Sequence, residues 1–149
     1  MNAVSTVTFF VEELFRSNPL VNTITYSKSN EIDLNKENIY PLVNIDELNM
    51  VIDDQVIYQT YEIYILDARD ITPVLNNDKL FVDNLIDNLN ETTYIATKFI
   101  NAVRRIGNDD SIDVDTISDI QFVKNDYGNG LDGCYFTIRL SIPNRVSAC

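Results

Sequence analysis

Chemistry by side chains begins with a handicap in this chain, because none of its 149 residues is a histidine. The commonest general base, the usual orienting partner of a nucleophilic Ser or Cys, and the most frequent transition-metal ligand are therefore missing. No glycine-rich phosphate loop, dinucleotide fingerprint or cysteine pair at metal spacing is present either. What remains is carboxylate. Asp109, Asp110, Asp113, Asp115 and Asp119 stand close enough in sequence to offer oxygen ligands to Mg²⁺ or Ca²⁺. They lack the EF-hand order and its glycine, so a solvated loop whose carboxylates cap neighbouring turns is the favoured reading. Residues 126–132 look like a single calcium-binding nonapeptide, an architecture that needs stacked copies, and only one copy is here. Cys134 lies in a strand pattern with no adjacent basic residue to lower its pKa, which predicts burial rather than reactivity. The expectation is a protein with no catalytic residue, no cofactor and no resident metal.

Charge narrows the partners. Eleven basic side chains against 23 acidic ones leave a formal charge of −12, and no basic cluster interrupts it. The main electrostatic term for nucleic acid would be repulsive, and an anionic membrane surface is disfavoured in the same way. A protein partner is expected instead. Cys134 and Cys149 are too few for a disulfide framework of the secreted kind. Met1-Asn2-Ala3-Val4 lacks the basic region and apolar core of an export signal, and no apolar run approaches the roughly 20 residues that span a bilayer. Synthesis in the cytoplasm fits best. The sequon Asn90-Glu91-Thr92 is then a chance match.

The positioning elements follow from periodicity. Val4, Val7, Val11, Leu14 and Phe15 recur at helical spacing over residues 3–16, and the helix must stop before Pro19. Phe9 and Phe10 cannot both face one core: one joins a partner surface, or a second ring packs under a loop. Residues 22–26 alternate and are β-branched, residues 39–43 read as a strand whose Pro41 places it at an edge or bulge, and residues 49–52 and 55–67 form a hairpin about Asp53-Asp54. Ile57, Tyr61, Ile63 and Ile65 occupy one face of that second arm, with Tyr58 and Tyr64 on the other, so it belongs mid-sheet. Asn77 or Asp78 is a candidate N-cap for a long helix carrying Leu85, Leu89, Thr92, Ala96, Phe99, Val103 and Ile106, with Gly107 as its stop. A break at 88–92 is an alternative for so long a pattern. After the acidic loop, residues 117–124 and 134–142 form a second hairpin, and three glycines between 128 and 133 mark an extended tip. At 149 residues this is one domain, large enough to bury roughly two-thirds of its unfolded surface without staples. The fold class is α+β: a mainly antiparallel sheet with an N-terminal helix and one long helix packed on one face.

The order of these elements carries a resemblance. An opening helix followed by Asn18-Pro19-Leu20-Val21-Asn22-Thr23-Ile24, then Tyr40-Pro41-Leu42-Val43, a long central hairpin, a long helix and a closing Leu131-Asp132-Gly133-Cys134-Tyr135-Phe136-Thr137-Ile138 resembles the tail terminator and neck (head-tail joining) proteins of tailed bacteriophages. It covers nearly the whole chain, and its specificity lies in the order of short motifs. Cys134-Tyr135 stands after Gly133 where the family pattern leads one to expect tryptophan. The resemblance implies a virion structural subunit, made in the bacterial cytoplasm, that forms a homo-oligomeric ring, often sixfold in the family, between the head connector and the tail tube. Such rings stop tube growth and complete the channel through which the genome leaves, with DNA passing but not specifically bound. Acidic walls would repel the phosphates.

Three function classes stand side by side: a ring-forming phage structural protein, a monomeric adaptor or regulatory binding domain, and a divalent-metal enzyme using the 109–119 aspartates. For the first, the expected subunit interface is Tyr58 and Tyr64 on the strand face away from the helices, with Asp126, Tyr127, Asn129 and Leu131 from the glycine-rich tip.

Overall fold

The structure is a computed structural model that describes residues 3–28, 39–68, 85–106, 112–126 and 130–144. Its elements run α1 (Ala3–Arg16), β1 (Thr23–Thr25), β2 (Leu42–Ile52), β3 (Val56–Ala68), α2 (Leu85–Ile106), β4 (Asp113–Ile117), β5 (Gln121–Asp126) and β6 (Leu131–Pro143). One sheet takes all six strands in the order β1-β2-β3-β6-β4, and β5 lies on the same flank of β6 as β4, one segment after the other. Among the described strands only the β1–β2 pair is parallel. The α+β class and the mainly antiparallel sheet are as the patterning indicates.

Both helices pack on one face. Val7, Val11 and Phe15 of α1 are buried at a spacing of four, and Ile95, Ala96, Phe99 and Val103 of α2 supply the facing stripe. Together with Ile45, Tyr61, Ile63, Ile65, Phe136, Ile138 and Leu140 they make one core, each full-sized side chain contributing about 1.5–3 kcal/mol of burial. Phe15 stacks on Phe99 with ring centroids 4.1 Å apart, and Phe99 meets Phe136 at 6.0 Å. Phe10 packs against this core while Phe9 stands 63% exposed, so the two rings do not share one core. The opposite face carries a smaller cluster at one end: Leu42, Leu66, Val123 and Leu131 beneath Tyr40, Tyr64 and Tyr135.

Several sequence expectations shift. Residues 39–43 and 49–52 are not separate strands: β2 runs unbroken from Leu42, preceded by a cis Tyr40–Pro41 bond. The polar middle that hid this continuity is satisfied in place. Asn44 is fully buried and its Oδ1 accepts from Thr25 Oγ1, Ser27 N and Ser27 Oγ at 2.7–3.1 Å, while its Nδ2 donates to the Ser27 carbonyl. The long helix is continuous through residues 88–92. Thr92, Thr93 and Thr97 turn their hydroxyls back onto carbonyls four residues earlier at 2.6–2.8 Å, so their polar groups do not compete with the helix. Its expected cap, Asn77 or Asp78, lies outside the described residues. The acidic loop hides a strand, β4, and the expected strand at 117–124 is divided by Ser118, whose N donates to Thr137 O and whose Oγ accepts from Thr137 N. Residues 131–133, expected in a projecting tip, are the start of β6.

Candidate functional site

Tyr58 and Tyr64 lie on the sheet face away from the helices, as expected, and Ile57, Tyr61, Ile63 and Ile65 are buried on the helix side. The two tyrosines differ in setting. Tyr58 is half-buried beneath the guanidinium of Arg139, 4.3 Å from its ring centroid, and Arg139 Nε sits 3.6 Å from Asp115 Oδ2. Each charge of that pair is about one-third exposed, so the ion pair contributes roughly 0–1 kcal/mol. Tyr64 stacks on Tyr135 at 4.8 Å and covers the smaller apolar cluster.

The tip residues separate in the same way. Leu131 is 1% exposed inside that smaller cluster, a correction to its expected place on an outer contact. The backbone of Asp126 pairs with it across the hairpin, and Tyr127 and Asn129 lie outside the described residues. Gly133 explains why the segment looks loop-like yet folds inward: a Cβ there would fall 1.9 Å from the Ile65 carbonyl oxygen, so only glycine lets β6 close on β3. Gly130, at φ 67°, makes the preceding turn.

Of the aspartates considered as metal ligands, Asp113 and Asp115 point from β4, Asp119 follows it, and Asp109 and Asp110 lie outside the described residues. Among the described residues no group of three or more His, Cys, Asp or Glu side chains is arranged to hold a metal ion. Cys134 is fully buried and free, and burial pushes its thiol up to about 12 despite a hydrogen bond with Thr92. A second group of carboxyls escaped the sequence. Asp67 and Asp132 face each other across β3 and β6, the buried Asp132 accepts from Asn88 Nδ2 at 3.3 Å, and Glu91 hydrogen-bonds Asp67. Burial first, then that hydrogen bond and the negative charge of Asp67, hold the Glu91 carboxyl above the usual range.

A polar line crosses the open end of the core. Thr8 Oγ1 donates to Glu47 Oε1 at 2.9 Å and lies 3.1 Å from the Tyr61 hydroxyl, which is 2.5 Å from the Gln59 side-chain oxygen. Gln59 Nε2, buried, has no partner in this orientation. Proton counting favours turning the amide over: Nε2 then donates to Tyr61, Tyr61 to Thr8 and Thr8 to Glu47, one proton for each contact. Burial, with the Glu47 charge adding to it, pushes the Tyr61 hydroxyl up to about 12 against the lowering effect of Thr8. Tyr26, nearby, is likewise raised to about 12, by burial and by its hydrogen bond to Glu12. Sequence patterning places Tyr61 in the core but gives no signal for Gln59, a lone amide on an apolar face.

Beyond this line β3 stays paired with β6 as far as Val56, and the β2 arm of the hairpin loses its cover. Burial along β2 stops after Ile45, and Leu48, Met50, Val51 and Ile52 are 36–69% exposed. A bulge at Leu48 opens a hollow of about 100 Å³ bordered by Glu47, Met50, Gln59 and Tyr61. Asp53 N donates to Val56 O, and Asn144 after β6 ties the turn down through Gln55 O and Asp53 O.

No family model and no curated protein matches this chain. None of its described helices is long and apolar enough to cross a membrane.

Proposed function

We infer that the chain is a non-catalytic structural subunit that assembles with copies of itself into a ring, of the kind that forms the neck or tail terminator of tailed phages. The observation that carries the reading is the one-sided cover of the sheet. Both helices lie on the face of Ile57, Tyr61, Ile63 and Ile65, while Tyr58, Thr60, Glu62, Thr137 and Arg139 on the other face are only partly buried. A tyrosine beneath an arginine is the composition of an interface centre. A ring uses two different patches on each subunit, and the outer face of the sheet supplies one of them. In such a ring, an excess of carboxylates along the channel repels DNA phosphates and lets the genome pass.

Native mass spectrometry of the full chain, alone and with its neck components, tests this. Tyr58→Ser should leave the thermal midpoint within a few degrees and abolish the ring mass. Tyr64→Ser, which opens the Leu42, Leu66 and Leu131 cluster, should lower stability first. A wild-type chain that stays monomeric alongside neck components overturns the ring and leaves the adaptor reading.

A further inference from the structure

The flank of β2 has two halves. Over residues 42–44 it is paired with β1, and the ladder ends where the Asn44 side chain takes over the hydrogen bonds of Ser27. From residue 45 to 52 no described strand lies against that edge. Eight residues at about 3.3 Å each give roughly 26 Å of edge, along which alternate residues direct their N–H and C=O groups outward. The side chains there are apolar on both faces: Met50 and Ile52 continue the helix-side face opposite Gln59 and Ile57, and Val51 continues the outer face opposite Tyr58. Open edges of soluble proteins usually carry charge along their length, and this one carries it at the two ends. Asp46 and Glu47 stand at one end, beside a hollow of about 410 Å³ that they line with Thr8, Tyr26 and Lys28, and Asp53 and Asp54 stand at the other. Lys28 offsets one of these four carboxylates.

We propose that the β2 edge over residues 45–52 docks an extended segment of a partner protein, apolar in its centre and carrying Lys or Arg at both ends. The apolar centre covers Met50, Ile52 and Val51 from alternate sides, the partner backbone completes the open ladder, and its terminal cations meet Asp46 with Glu47 and Asp53 with Asp54. A second copy of this chain is the wrong occupant. Laid antiparallel about the middle of the edge, it sets Asp46 and Glu47 beside Asp53 and Asp54 of its neighbour; laid parallel in register, it sets each carboxylate beside its own twin. Like charges opposed across strands are destabilising. The bulge at Leu48 interrupts the edge in a way that discourages indiscriminate pairing and leaves a specific occupant to fit the hollow behind it. This docking does not depend on ring formation, since the ring test reads mass and this one reads peptide binding.

The probe is a labelled peptide of alternating Val and Thr with two Lys at each end, compared with a twin carrying Glu in place of Lys, titrated against the full chain by fluorescence anisotropy. The Lys-ended peptide should bind at least tenfold more tightly. Asp46→Lys with Asp54→Lys should erase that preference, Met50→Thr with Ile52→Thr should weaken the Lys-ended peptide about tenfold, and Asp87→Lys on the exposed side of α2 should leave it unchanged. Amide hydrogen exchange of the wild-type chain should slow over residues 45–52 when the peptide is added. Equal binding of the twins, an equal loss from Asp87→Lys, or unchanged exchange along β2 overturns the proposal. So does wild-type self-association that Met50→Thr with Ile52→Thr abolishes, since the edge then seats a second copy.

Discussion

Single residues here act mainly by what they leave no room for. Gly133 is the sharpest case, because any Cβ meets the Ile65 backbone and neither strand can retreat without breaking the β3–β6 ladder. Gly133→Ala should cost about 3 kcal/mol or more in urea denaturation, beyond the usual penalty of overpacking a flexible core. Tyr61 holds the buried polar line together. Tyr61→Phe keeps the ring but leaves Gln59 and Thr8 each short of a partner, which should cost about 1–3 kcal/mol by the same measurement. Glu91 carries a pH dependence. Its raised pKa means that the fold favours the protonated form, so its contribution is present at acid pH and is lost as pH rises through the raised value. Gln at this position keeps a donor for Asp67 without the charge. Glu91→Gln should therefore gain stability at neutral pH and match the wild-type chain near pH ~4, where the ordinary carboxylate range begins. An equal gain at both values would trace the effect to helix propensity.

At the scale of elements, the sequence was legible where one kind of side chain dominates each face. Residues 55–67 alternate so strongly that the buried set and the outward tyrosines could be separated from the pattern, and α1 follows from its apolar stripe alone. Elements with mixed chemistry were not legible. β2 holds a buried Asn44 whose needs are met by Thr25 and Ser27, residues that hydropathy cannot associate with it. β4 alternates Asp113 and Asp115 with Val114 because the helices cover one face of the sheet, so that only one side chain in two packs on the core. The start of β6 contains Gly133, one of the three glycines that suggest a loop, and there the glycine is a packing requirement. Of the candidate interface, the face was readable from alternation. The β2 edge was not, because edge status depends on where β1 ends.

For the whole molecule, a formal charge of −12 works on the two proposed contacts in opposite directions. Ring formation brings together chains that all repel one another, and only short-range burial around the outer face holds them. Added salt shortens the reach of the repulsion, from a Debye length of about 10 Å at 0.1 M to about 4 Å at 0.5 M, and leaves the apolar contact in place. Self-association measured by sedimentation should therefore strengthen as salt rises over that range. Docking of a Lys-ended strand on the β2 edge draws on attraction to Asp46, Glu47, Asp53 and Asp54, so its affinity should fall over the same range. Opposite slopes would separate the two surfaces without a single mutation. Self-association that weakens with salt would instead place ion pairs such as Arg139 with a neighbour's carboxylate at the subunit contact, and peptide binding that ignores salt would remove the terminal cations from the docking proposal.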